Sequence, residues 1–488
     1  MSFRPHSALG IAMLAIVCGP ADAASTDIEA LRKEIEQLRQ SYEQRLSDLE
    51  RRLEAAEAAS TPPLPQPAGG PSDLDTELAE VEPPQDEPPA TTASTGALWS
   101  RGVGAANVQL LDLSAVIMGA AGGSSASPEE IEELQGGAHD PKRNGFTFQQ
   151  LELGLRGAVD PYFTAEAFIV FAEDAVELEE AFFTTTSLPW NLQLEGGYFL
   201  TEFGLNNPTH PHTWDWIDQP VINTRLFSGD GTRSAGFRLA ELLPTPWYSE
   251  FMIGAQDPTN DTMISFLGEG HSHGDDGHGG GGETIGGYER VKTDVTSISD
   301  IAYLARWVNA WDSGPGTSAK WGFSGLFGPN ATGDAGRTIA AGTDLRVKWR
   351  PGGNFRGWPF VSWTTEFEFR HFRVDRSNPG FVAGETDEVL NDYGLYSELL
   401  YGFRPRWSAG IRVEYATGSG NGPDAREQSP LRDNRVRISP MLSWYPSEYS
   451  RFRLQYNYDD AGFLEDRNAN TVWLGAEVLF GRHTAHTF

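Results

Sequence analysis

Arg451-Phe452-Arg453-Leu454-Gln455-Tyr456-Asn457-Tyr458 alternates throughout, with arginine or amide at odd positions and aromatic or aliphatic side chains at even ones. A strand sends successive side chains to opposite faces, so this segment has one wet face and one apolar face. Val472-Trp473-Leu474-Gly475-Ala476-Glu477-Val478-Leu479-Phe480 follows it as a second strand. Upstream, the late part of Phe360-Val361-Ser362-Trp363-Thr364-Thr365-Glu366-Phe367-Glu368-Phe369-Arg370 alternates charge and aromatic in the same way.

Working outward, sixteen such segments fill residues 107–488, among them Asn107–Ala120, Ser297–Trp311, Arg337–Arg350, Phe360–Arg373 and Trp407–Thr417. A helical turn is expected at Ser127-Pro128-Glu129-Glu130, in the Gly/Ser-rich loop after the first. Every second connection is short and usually carries proline: Asp160-Pro161-Tyr162, Pro244-Thr245-Pro246-Trp247, Ser313-Gly314-Pro315-Gly316, Arg404-Pro405-Arg406 and Pro446-Ser447-Glu448-Tyr449 are examples. The connections between them are longer, acidic and glycine-rich. An even number of strands with short turns on one side and long loops on the other predicts a sixteen-stranded antiparallel transmembrane β-barrel. Trp190, Trp247, Tyr248, Trp358, Trp407, Tyr445 and Tyr449 stand at or near the short turns, as an interfacial belt requires. A soluble sandwich also alternates, but it has little use for aromatics at strand ends.

The whole chain fits this reading. Beyond the first twenty residues no run approaches eighteen apolar residues, so spanning helices are not expected, and lipid can otherwise be crossed only by a closed barrel. Net charge is −31, from 37 basic and 68 acidic residues, which excludes nucleic acid as a partner class. Residues 1–23 read as a signal sequence, with Arg4, an apolar run from Leu9 to Val17, and Ala21-Asp22-Ala23. Cys18 is the single cysteine; lipidation there is the other reading of this end. In residues 24–59, Ile28, Leu31, Ile35, Leu38, Tyr42, Leu46, Leu49, Leu53 and Ala56 form a heptad seam, predicting an N-terminal α-helical coiled coil or a lone amphipathic helix. A coiled coil there implies an oligomer whose number the seam does not fix, and contact with the cell wall or a periplasmic partner. Residues 60–106 are a Pro/Ala/acidic linker, and 107–488 the barrel, embedded in outer-membrane lipid and lipopolysaccharide.

A sixteen-stranded barrel is too wide for wall side chains to fill. Residues 200–232 are the segment expected to narrow it, through Asn206, Asn207, His210, His212, Trp214, Asp215 and Trp216; an outer lid is the alternative. Strand phase puts Glu166, Glu177, Arg238, Arg306, Arg346, Glu366, Glu368, Arg370, Arg412, Arg437 and Arg453 toward a water-filled lumen, although a bulge would flip the phase. Glu152, Arg156, Glu179, Lys348, Glu414, Arg435 and Arg451 share that expectation. The inward residues of the last strands are the more basic.

No cofactor is required by this reading. His271, His273, Asp275, Asp276, His278 and Glu283, on a glycine-rich loop, offer imidazole and carboxylate ligands to weakly bound zinc or another divalent cation at the pore mouth. A hydrated low-complexity loop has the same composition. His210, His212 and Asp215 offer a second metal locus. No nucleophile–base set is recognisable, so the chain reads as non-enzymatic.

Leu192-Gln193-Leu194-Glu195-Gly196-Gly197-Tyr198-Phe199-Leu200-Thr201-Glu202-Phe203-Gly204-Leu205 resembles the strand-to-loop segment of phosphate-selective-porin-like outer-membrane proteins. The stretch from Arg437 through Trp444-Tyr445-Pro446-Ser447-Glu448-Tyr449 to Asn457 resembles proteobacterial proteins labelled zinc-regulated TonB-dependent outer membrane receptors. The first resemblance implies sixteen strands, a trimer and passive diffusion of small hydrophilic solutes; the second implies a link to zinc. Two features depart from these patterns. Acids outnumber bases, unlike a phosphate-selective pore, and an acidic linker stands where an energised transporter would need a folded plug.

Overall fold

The computed structural model describes residues 97–103, 106–173, 175–269, 284–420, 422–423 and 430–481. The expected signal sequence and coiled coil, and the His-rich segment with His271, His273, Asp275, Asp276, His278 and Glu283, lie outside the described residues.

Sixteen antiparallel strands close into a barrel. In chain order they are β1 (Ala106–Ser124), β2 (Gly145–Asp160), β3 (Phe163–Phe171), β4 (Val176–Thr185), β5 (Leu192–Leu200), β6 (Arg233–Leu242), β7 (Tyr248–Gln256) and β8 (Ala302–Asp312). They continue with β9 (Thr317–Pro329), β10 (Arg337–Trp349), β11 (Phe360–Arg373), β12 (Val389–Arg404), β13 (Trp407–Ser419), β14 (Arg435–Ser447), β15 (Ser450–Ala461) and β16 (Asn468–Gly481). Each strand pairs with its sequence neighbours. The long connection after β7 is bridged from Gln256↔Ala302 to Tyr248↔Ala310. Closure is made by β16 on β1, from Thr471↔Ser124 to Gly481↔Ser114.

Three boundaries differ from the sequence expectation, each for a local reason. β1 runs on past Ala120 through Ala121-Gly122-Gly123, which reads as loop, because its small residues admit the partner strand. A Cβ on Gly122 would meet Val472 O at 1.9 Å and Trp473 Cε3 at 2.5 Å. β8 starts at Ala302 rather than Ser297, because Ser297 and Asp300 cap one another across a 3-10 turn at Ile298–Asp300. An additional strand, Ala97–Val103, pairs with β1 from Ala97↔Asp112 to Val103↔Ala106, continuing the edge that β16 leaves at Ser114.

The wall has the expected two faces. On β14, Val436, Ile438, Leu442 and Trp444 lie on the accessible outside, and Arg435, Arg437, Ser439 and Ser443 are buried inside. Trp190, Trp247, Trp349, Trp444 and Tyr449 are exposed near the short turns, and the rings of Trp407, Trp444 and Phe452 stack with centroids 6.0 and 5.7 Å apart.

The interior departs from a uniformly wet lumen. Helix α2 (Val221–Phe227) buries Val221, Ile222, Leu226 and Phe227 against Phe203, Met263, Phe266, Leu304, Leu326 and Tyr396 in one apolar cluster. Fully burying each such side chain is worth about 1.5–3 kcal/mol. On β8 Leu304 and Val308 turn inward on either side of the paired Arg306, while Tyr303 and Trp307 turn outward. Helix α1 (Pro128–Leu134) also folds inward. Glu130 N donates to Ser127 Oγ at 3.3 Å and Ser127 N to Glu130 Oε2 at 3.0 Å. Ile131 packs with Ile217 and Trp473.

Candidate functional site: a loop strapped across the lumen

Residues 201–232 leave β5, cross the barrel interior and return to β6. The neck is closed by backbone and amide. Thr201 N donates to Thr232 O at 2.9 Å. Asn207 Nδ2 donates to Thr201 O at 2.7 Å, while its Oδ1 accepts from Thr232 N at 2.8 Å. The first span is fixed on β9 and β11, where Gly204 N donates to Ser324 Oγ at 3.1 Å and Leu205 N to Glu366 Oε1 at 3.1 Å. Gly204 has φ +69° and presses on Glu366, whose Oε1 would lie 1.5 Å from an added Cβ. Glycine is required there on both counts.

The far span is held by the arginines of β13 to β15. Asp218, fully buried, is paired with Arg412 Nη2 and with Arg437 Nη1 at 3.0 Å. It also accepts from Gln455 Nε2 at 2.8 Å and Asn457 Nδ2 at 2.7 Å. Burial alone would raise the Asp218 carboxyl, but Arg412 and Arg437 overcome it and hold it at about 2. The other arginines bind backbone. Arg451 Nη1 donates to Trp214 O at 2.8 Å and Arg453 Nη1 to Trp216 O at 2.7 Å. Arg435 and Arg437 both donate to Leu134 O, at 2.6 and 2.7 Å, satisfying the free C-terminal end of α1. Beside this network, burial and the nearby Asp218 push the Asp140 carboxyl up to about 7.

The sequence-predicted constriction residues divide by role. Asn207 closes the neck. Trp216 faces the wall, packed with Leu400 and Met441, and its Nε1 donates to Ser439 O at 2.9 Å. Asn206 and Trp214 are buried, with Trp214 Nε1 donating to Thr209 Oγ1 at 3.0 Å, whereas Asp215 stays half-exposed. His210 and His212 are brought to β2 and β4 rather than to Asp215. His210 Nδ1 lies 2.9 Å from Glu179 Oε2 and its Nε2 lies 2.8 Å from Glu180 Oε2, while His212 Nδ1 lies 3.0 Å from Glu152 Oε2. Burial disfavours charge on His210, but Glu179 and Glu152 keep it protonated well above the usual histidine range.

The pore-lining candidates all turn inward, but the loop covers most of them. Arg306, Glu366, Glu368, Arg370, Arg412, Arg437 and Arg453 are buried by the packed interior, with Arg306 paired to Asp344 at 2.8 Å and Arg370 to Asp392 at 2.7 Å. Glu166, Glu177, Arg238 and Arg346 are half-buried. Glu177 is bound by Arg233 at 2.9 Å, and Arg238 bridges Glu195 at 2.7 Å and Glu202 at 2.9 Å. Inner charges of both signs keep contact with water: Glu166, Glu202 and Asp215 with Arg156 and Arg238 on the β2–β6 side and loop, and Lys320, Arg346 and Lys348 with Glu398 on β9, β10 and β12. Such an arrangement offers a polar solute partners of both signs. Sequence reasoning missed Asp218, Asp140 and Asp459. A signal existed for the first: the inward arginines of β13 to β15 outnumber the inward acids, and a counter-charge had to come from the loop.

No family model matches the chain. It is 26% identical over 404 residues to an uncharacterised protein of Aquifex aeolicus, covering 78% of this chain and 80% of that one. Among solved structures it is similar to the outer membrane channel DcaP of Acinetobacter baumannii (TM-score 0.47, 13% identity, 76% and 97% of the two chains). Similar figures hold for OprB of Pseudomonas putida (TM-score 0.47, 12%, 76% and 94%) and an anion-selective porin from Comamonas acidovorans (TM-score 0.45, 8%, 76% and 99%).

Proposed function

We propose that the protein is a passive outer-membrane channel for small hydrophilic solutes, its bore set by residues 201–232. One observation carries this reading: a closed sixteen-stranded wall, apolar outside, is crossed internally by a loop bonded to the opposite side, with acidic and basic groups left facing water. An anchor would need only the wall; strapping a loop across the inside is what sets a passage. In this reading the barrel is a homotrimer, residues 24–59 form its periplasmic coiled coil, and the His-rich segment around His271 to Glu283 gathers zinc weakly at the outer mouth.

The test is conductance in planar bilayers. Stable steps that grow when residues 206–230 are replaced by a short Gly/Ser linker support the channel. A heat-modifiable, inserted barrel that passes no current refutes it and leaves a surface anchor.

A further inference from the structure

We propose that His210 and His212 of the loop, together with Glu152 of β2 and Glu179 of β4, form a divalent-cation site of zinc type inside the barrel wall. The inference goes beyond the channel reading and is measured without conductance. The oxygens and nitrogen of Glu152, Glu179 and His210 lie within 4.8 Å of one another. His210 Nδ1 is 2.9 Å from Glu179 Oε2 and 3.4 Å from Glu152 Oε2, which is in turn 3.0 Å from His212 Nδ1. Ligand atoms bound tetrahedrally to zinc at about 2.0–2.1 Å stand roughly 3.3 Å apart. Glu152, Glu179 and His210 are within reach of that spacing, and His212, which lies outside their group with its ring 5.8 Å from that of His210, swings in from its contact with Glu152 to complete the set. All four side chains are buried.

The remaining atoms are arranged as such a site needs. His210 Nε2 faces Glu180 Oε2 at 2.8 Å, and Glu180 Oε1 is held by Leu200 N at 2.8 Å. A carboxylate on the outer ring nitrogen directs the lone pair of Nδ1 to the metal and fixes the ring's orientation.

The wall is deformed to build this cluster. The ladder between β3 and β4 passes from Phe168↔Glu180 to Ile169↔Leu178, leaving Glu179 as a one-residue bulge. Consecutive glutamates thereby both turn inward, at 4% and 8% exposure, where regular alternation would put one of them outside. The β1–β2 ladder does the same, from Met118↔Gln150 to Gly119↔Phe148, so that Gln149 and Gln150 are both buried. Gln150 Nε2 donates to Glu152 Oε2 at 3.3 Å, and its fully buried Oε1 has no partner. The β3–β4 bulge thus turns both Glu179 and Glu180 onto His210 while the β1–β2 bulge sets Gln150 against Glu152, which marks a built site rather than a plain ion pair.

The test uses the detergent-purified full chain carrying His271→Ala, His273→Ala and His278→Ala, which removes the other histidine-rich segment. The protein is stripped with chelator, given zinc alone, gel-filtered and analysed for metal. About one tightly held zinc per chain is expected. Glu179→Gln and His212→Ala, each checked for a heat-modifiable barrel, should lower zinc affinity at least tenfold, and Glu180→Gln by about 10–100-fold. No retained zinc, or equal affinity in Glu179→Gln and His212→Ala, overturns the site. If those variants do not fold, zinc X-ray absorption on the parent decides: a shell with two imidazoles supports the proposal, and an all-oxygen shell overturns it.

Discussion

Replacing Asp218 by Asn removes one negative charge from the point where the loop meets the far wall. The change is nearly isosteric, so any effect comes from charge rather than a void. Two buried guanidiniums lose their shared carboxylate, but each keeps another: Arg412 holds Glu414 at 2.7 Å and Arg437 holds Asp459 at 2.9 Å. Breaking a buried pair costs about 3–5 kcal/mol, and these surviving partners put the loss near the lower end, about 3 kcal/mol. That corresponds to roughly two powers of ten in the equilibrium between strapped and released loop. Single-channel recording should show larger or noisier steps for Asp218→Asn, and limited proteolysis of the folded barrel should cut within residues 214–230. Wild-type conductance together with unchanged resistance to cleavage would refute the assignment of Asp218 as the anchor.

At the near end, Gly204→Ala forces a methyl onto Glu366 and into a left-handed backbone, at a cost of at least about 1–2 kcal/mol for the backbone alone; the barrel's heat-modifiability midpoint should fall, and an unchanged midpoint would contradict this packing. The paired acids Asp140 and Asp218 predict opposite pH effects on loop docking. Asp140 keeps its proton to about 7 when docked against 3.8 when free, so its contribution is full in acid and is lost as pH rises toward 7. Asp218, held at about 2, contributes above 3.8 and loses its effect only as pH falls toward 2. Protease resistance of the loop should therefore weaken between about pH 4 and 7, and Asp140→Asn should flatten that slope; a parallel slope in the variant would assign the titration elsewhere.

The wall was largely legible in the sequence, because a period of two and alternating loop lengths are local signals. The segments read at Arg337, Phe360 and Trp407 begin where β10, β11 and β13 begin. The helical turn read at Ser127-Pro128-Glu129-Glu130 is the start of α1, whose reciprocal cap spans only three residues. The strap's partners were beyond such reading. Asp218 meets Arg412 across 194 residues and Arg437 across 219, so nothing nearby in sequence marks it. Bulges hide for a related reason: Glu179-Glu180 reads as one inward and one outward residue until the partner strand shows the skipped pairing. The inner apolar cluster was concealed because Leu304 and Val308 flank Arg306 on the inward face of β8, so phase alone could not tell a packed level from a wet one.

The apolar contact of α2 with the wall also bears on how the passage changes width. Val221, Ile222, Leu226 and Phe227 share one dry seat, so freeing any of them alone leaves a void beneath the others. A strap seated this way is expected to lift only as a unit, hinged at Asn207 and Thr232, so that single-channel current switches between discrete levels with long dwell times instead of drifting through a continuum.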